Sequence, residues 1–330
     1  MISIGELMNL RVAMFSLVKQ HCLSPVDGGR LKQLANLGAT PPSLLRHLSV
    51  GMAVLAAALG GLGIVLWVAA NWQTLPRSLR CALLETLVVC TLLGAWRLPA
   101  ARMPLALLGF LACGGLFACL GQIYQTGADP WQLFALWAAL TLPLCLGVRH
   151  DALWVPWLLV ALTGAQLFSE MQTGRWWGDA TISLYSSLGS WLPAIALAAL
   201  LRFVPRSFTG AGLWPLRFSM IYAVINLTTV AIQHLFSSAE GYPAFVLVVA
   251  VLAYGFSLRK MFDLFIFSAL CLSFNVLVIG GLARTLFNGA GFNTLVFSLV
   301  VIACAATSLL ALTVKVVMHL ARIYLREKIS

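Results

Sequence analysis

Two short segments concentrate the side chains able to do chemistry. Ala69-Ala70-Asn71-Trp72-Gln73-Thr74-Leu75-Pro76 closes one apolar run, and Gly121-Gln122-Ile123-Tyr124-Gln125-Thr126-Gly127-Ala128-Asp129-Pro130-Trp131 closes another and opens the next. An amide carries a donor and an acceptor together. Aromatic walls with a few fixed polar groups are what small-molecule sites are made of. The candidate binding set is therefore Asn71, Trp72, Gln73, Gln122, Tyr124, Gln125, Asp129 and Trp131. Trp and Tyr also favour membrane interfaces without any ligand, Asn71 could cap a helix end, and Gly-Ala-Asp-Pro is turn chemistry. The candidate site competes with that plainer reading.

Glu85 is a separate candidate. It is the acidic residue inside an apolar run, about 7 Å inward of Arg80 at 1.5 Å per helical residue. A carboxylate in mid-membrane costs ~2.5–3.5 kcal/mol on insertion scales, so Glu85 is expected to face the bundle, with Arg77, Arg80 or Asn71 as partners. It is the candidate coupling acid of a transporter, or else a structural hydrogen-bonding group. Gln166, Asn226 and Asn275 are single amides in apolar runs, read as packing devices worth under ~1 kcal/mol each.

No catalytic set is legible: there is no carboxylate cluster at a bilayer edge, no His pair and no nucleophile with its base, so the chain reads as a non-enzyme. None of the five histidines forms H-E-x-x-H, none of the eight cysteines forms C-x-x-C, and neither a phosphate-binding loop nor a dinucleotide fingerprint occurs. No metal and no cofactor is expected.

The elements that must position these residues are membrane helices. The chain is 61% hydrophobic and 9% charged, against ~25% charged in a soluble domain. Ten apolar runs can be drawn, at about 48–70, 79–96, 104–123, 131–147, 152–169, 188–204, 216–236, 242–258, 263–283 and 294–314; a span needs ~20 apolar residues. The fold class is all-α, a polytopic transmembrane bundle. Residues 1–46 read as a cytoplasmic helical hairpin, 47–322 as the membrane domain and 323–330 as a basic tail.

Lysines and arginines set the orientation. With a cytoplasmic N-terminus, only Arg77, Arg80, Arg175 and Arg284 lie outside, leaving 17 of the 21 inside. That asymmetry places both termini in the cytoplasm. It also explains the net charge of +11 without nucleic acid, because the cations are spread over loops. The two amide-aromatic segments then share the outer rim, together with the loop bearing Glu170, Arg175, Trp176, Trp177 and Asp179. Small-residue stripes on the first run (Ala56, Gly60, Gly63; Ala53, Ala57, Gly61) and on the third (Gly109, Cys113, Gly121, with Gly114-Gly115) would let those two helices touch. Pro143, Pro156 and Pro193 should kink spans four, five and six.

Gly60-Gly61-Leu62-Gly63 through Asn71-Trp72 to Pro76, then Gly121-Gln122-Ile123-Tyr124-Gln125 and the Leu133–Pro143 stretch with Trp137, resemble a bacterial family of membrane proteins of unknown function. Its members look alike in a short helical head, an A-A-N-W turn and a G-Q-I-Y-Q segment. The likeness covers roughly residues 1–170. It implies a bacterial inner membrane and supplies no reaction. Two functions follow from the whole reading: a secondary transporter or permease for a small solute, or a non-transporting scaffold, sensor or assembly partner. The bilayer is the expected partner, with a further membrane protein as a candidate; the substrate is unknown.

Overall fold

The computed structural model describes residues 20, 27, 30, 42–124, 129–172, 184–237, 241–288 and 292–326. It contains ten long helices among them: α1 (Pro42–Ala70), α2 (Arg77–Arg97), α3 (Arg102–Tyr124), α4 (Pro130–Val148), α5 (Asp151–Gln172), α6 (Leu184–Phe203), α7 (Leu213–Ser237), α8 (Tyr242–Ser257), α9 (Leu264–Phe287) and α10 (Phe292–Arg326). Single turns at Pro99–Ala101 and Arg206–Thr209 bridge neighbours. Each of the ten apolar runs falls on one of these helices. Eight are long and apolar enough to cross a membrane; the apolar parts of α6 and α8, Leu188–Phe203 and Tyr242–Ser257, are shorter. The protein is an all-α membrane protein.

The chain divides into two compact units, Met1–Ala56 and Ala57–Ser330. In the first, the described residues are Gln20, Asp27, Arg30 and the opening of α1, each helical. The expected hairpin over 1–46 otherwise lies outside the described residues, as do positions 327–330 of the expected tail. The rest of this account concerns the second unit.

Apolar burial does not drive helices together in lipid, so packing does. In the first half α3 is the hub, and its glycines show how. A β-carbon at Gly109 would come within 2.9 Å of Thr91 on α2, at Gly114 within 2.4 Å of the Trp137 ring on α4, and at Gly115 within 2.7 Å of Val65 on α1. Only a bare backbone admits three such neighbours. The first and third helices do touch, but through one stripe: Gly61 abuts Leu108 and Leu111, whereas Gly60 and Gly63 face open space. Trp137 fixes the α3–α4 contact by donating its indole N–H to the Phe110 carbonyl at 3.0 Å, and Trp157 ties α5 to α4 through the Ala138 carbonyl at 2.8 Å. Pro143, Pro156 and Pro193 lie inside α4, α5 and α6.

In the second half α7 is central, packing on α5, α6, α8 and α9, with α10 against α9. Its core gathers Trp191 and Ala198 of α6, Leu227 and Ala231 of α7, Val249 of α8, and Ile266, Leu270 and Leu277 of α9. So α6 and α8 each give one face to this core, while Leu192 and Leu200 on α6 and Leu247, Val251 and Tyr254 on α8 remain exposed on the other, a surface suited to lipid. A run of leucines along α1 (Leu55, Leu59, Leu62, Leu66), each about half exposed or more, presents another such face.

The ends of the helices are held by polar contacts. Arg149 closes α4 in the left-handed conformation, with its N–H on Cys145 at 3.0 Å. Asp263 caps α9 by accepting from the N–H groups of Phe265 and Ile266 at 3.0 and 3.2 Å, and the same carboxylate takes a two-pronged contact from Arg217 at 2.9–3.0 Å. Arg202 reaches the Lys260 carbonyl at 3.4 Å, which sets the C-terminal ends of α6 and α8 side by side.

Candidate functional site

The segment after α1 is a tight, self-satisfied turn. Asn71 donates both its backbone N–H (3.0 Å) and its side-chain amide (2.9 Å) to the Trp67 carbonyl, so it finishes its own helix. Trp72 is half-buried, and Arg80 lies over its ring at 4.0 Å. The guanidinium donates to the Leu75 carbonyl at 2.8 Å and to the Trp72 carbonyl. Those two carbonyls would otherwise be orphans of the turn. Gln73 is exposed.

Trp72 and Ile123 both pack on a small core of Val68, Leu84 and Cys119. This core brings the end of α1 and the end of α3 to one end of the bundle. Gln122 there is exposed, Tyr124 is the last residue of α3 and its side chain lies outside the described residues, as does Gln125. Asp129 and Trp131 form a second grouping with α5: the indole N–H of Trp131 reaches the Asp129 carboxylate at 3.3 Å, and its ring meets Phe168 edge-on at 4.9 Å.

Glu85 does not face the bundle. The buried stripe of α2 is Arg80, Leu84, Thr91 and Ala95, and Glu85, rotated about 100° from Leu84, is exposed. Two of the three expected partners are engaged elsewhere, Arg80 on loop carbonyls and Asn71 on its own helix. Glu85 is thus corrected from an inward acid to an outward one.

A different acid lies inside a helix. The sequence reading ends the fifth span at 169 and leaves Glu170 in a loop; the structure continues α5 to Gln172, with 173–183, and so Arg175, Trp176, Trp177 and Asp179, outside the described residues. Glu170 is half-buried and accepts from the Gln166 amide, one turn below, at 2.7 Å. The carbonyl oxygen of that amide is buried and has no partner among the described residues. Across from α5, Tyr222 of α7 packs with Leu162. Its hydroxyl lies within electrostatic reach of both Glu170 and Asn226. Asn226 itself donates to the Tyr222 carbonyl at 2.9 Å. A carboxylate, two amides and a phenol thus line the α5–α7 region. The signal in the sequence was the amide pair Gln166 and Asn226, each dismissed singly because the facing helix was unknown.

Gly189 of α6 closes the cluster on another side, its α-carbon so near Ser169 that a β-carbon would fall 2.0 Å from the hydroxyl oxygen. The cluster's carboxylate can exchange a proton, and its amides and phenol carry hydrogen-bond donors and acceptors together.

No curated protein and no solved structure matches the chain. Residues 16–154, which hold both the Asn71–Trp72 turn and the Gln122–Gln125 segment and stop before Glu170, match the family described as "Predicted membrane protein (DUF2157)", a family of unknown function.

Proposed function

We propose that the protein is a secondary transporter or permease for a small solute, and that Glu170 rather than Glu85 is the acid coupled to movement. One observation carries this: the Glu170–Gln166 hydrogen bond near the end of a membrane helix, next to a buried amide oxygen that has no partner among the described residues. A carboxylate half-buried in the last turn of a membrane helix is costly to hold charged, though less so than at mid-membrane, so its protonation and a solute's arrival affect each other. The orphan oxygen, Asn226 and Tyr222 supply the acceptor and donors a polar solute needs. The groupings around Trp72 and around Asp129–Trp131 frame the approach, with most of their polar atoms engaged locally. The location we infer is a bacterial inner membrane with both termini cytoplasmic, from the 17-to-4 distribution of cations.

The test is uptake by proteoliposomes bearing an imposed pH gradient, over a panel of amino acids, organic acids and sugars. Glu170→Gln should abolish gradient-driven uptake, whereas Glu85→Gln should keep it within about twofold. Wild-type vesicles inert to the whole panel, or undiminished uptake by Glu170→Gln, would overturn the reading. Exposed Glu85 favours a second reading, the scaffold or assembly partner, since a lipid-facing carboxylate is costly until another helix covers it. That reading requires a stoichiometric membrane partner whose co-purification Glu85→Gln weakens.

A further inference from the structure

The end of the bundle opposite Glu170 holds a cavity of about 730 Å³ among α6, α7, α8 and the segment that leads into α9. Its walls are of two kinds. Ile195, Ala199, Leu216, Met220, Leu252 and Phe256 make a deep apolar arm, and Arg202, Arg206, Arg259 and Lys260 stand at the mouth. The one carboxylate lining it, Asp263, is already matched: it caps α9 and takes the fork of Arg217. Arg202, Arg206 and Lys260 alone therefore give the mouth an excess of positive charge against low-dielectric walls, which focus its field.

Positive loops are ordinary on the cytoplasmic side of a membrane protein. Ordinary topology does not explain why cations from three separate segments converge on one apolar-walled cleft. Arginine forks match phosphate oxygens in geometry and charge, and an apolar arm beneath such a head suits hydrocarbon. The geometry points to a binding site for a phosphate-bearing anion at this mouth, most completely filled by the headgroup and one acyl chain of an anionic phospholipid. The site is independent of the transport reading.

The full chain in detergent micelles tests it by thermal protection with phosphatidylglycerol, phosphatidylcholine or inorganic phosphate added. Phosphatidylglycerol should protect and phosphatidylcholine should not. The triple variant Arg202→Gln/Arg206→Gln/Lys260→Gln should weaken apparent affinity at least tenfold, while Lys315→Gln/Arg322→Gln, exposed cations on α10 that do not line the cavity, should not. Ala199→Phe, which fills the apolar arm and spares the cations, separates the sources. If it weakens phosphatidylglycerol and inorganic phosphate protects poorly, the ligand is a lipid. If inorganic phosphate protects equally well and Ala199→Phe changes nothing, the ligand is a soluble phosphate ester and the phosphate chemistry stands. Equal protection by phosphatidylcholine, or equal losses in the triple and α10 variants, would overturn the site.

Discussion

Arg80 shows how a membrane protein keeps a cation that topology disfavours. It is one of the few arginines on the cation-poor side and sits in the first turn of α2, where the helix dipole opposes positive charge. It is nevertheless 8% exposed. What holds it is local: the Trp72 ring at 4.0 Å, the Leu75 carbonyl at 2.8 Å and the Trp72 carbonyl. A fixed fork serves two carbonyls at once, and a lysine ammonium on a flexible stem does not. Arg80→Lys should therefore cost about 1.5–3 kcal/mol, the worth of one hydrogen bond to a charged donor. Exposed Arg77→Lys should stay within about 0.5 kcal/mol. Titrating each purified variant with SDS and comparing unfolding midpoints checks this; indistinguishable midpoints would remove Arg80 as the clasp of the turn.

At the scale of elements, helix ends carry more of the specification than helix middles. Gly210 follows the turn Arg206–Thr209 with φ of 62°, and a β-carbon there would lie 2.1 Å from that of Arg149. The left-handed backbone alone costs an L-residue ~1–2 kcal/mol, and Arg149, itself left-handed, has little freedom to retreat. Gly210→Ala should lower stability by at least about 2 kcal/mol. Gly147→Ala, within α4 and with nothing inside 4 Å, should be neutral or stabilising by up to ~1 kcal/mol. Equal effects in the same SDS titration would refute the close approach of the two turns.

The same contrast explains what the sequence could tell. The ten helices were legible because bilayer solvation writes itself as long apolar runs. Which way Glu85 points was not, since α2 is apolar on nearly every side and offers no stripe to orient it. Glu170 was read into a loop of the outer rim for the reverse reason: Ser169 and Glu170 end the apolar run although the helix continues to Gln172, with the Gln166 amide one turn below as a partner that hydropathy cannot see. The α1–α3 contact was readable from glycines, yet sequence could not choose between the Gly61 stripe and the Gly60–Gly63 stripe. The basic mouth was visible as charges and was absorbed into topology, since its cations come from the ends of different helices.

For the molecule as a whole, sidedness hangs on α6 and α8. Sixteen residues of α8 rise about 24 Å as a helix, short of the ~30 Å hydrocarbon core. Longer neighbours bury one face of each, at Trp191, Ala194 and Ala198 on α6 and at Phe245 and Val249 on α8, and leave the opposite face exposed, as a crossing helix at the edge of a bundle requires. If both cross, the segment around Phe208 and the segment around Met261 share the cytoplasmic face, opposite Gln73 and Gln132. All four positions are exposed. In a cysteine-free background, Gln73→Cys and Gln132→Cys should react with an impermeant maleimide on intact cells, and Phe208→Cys and Met261→Cys only after permeabilisation. If α6 failed to cross, Phe208→Cys would label from outside. The cations around the 730 Å³ cavity would then face the cation-poor side, against the distribution from which the orientation is inferred.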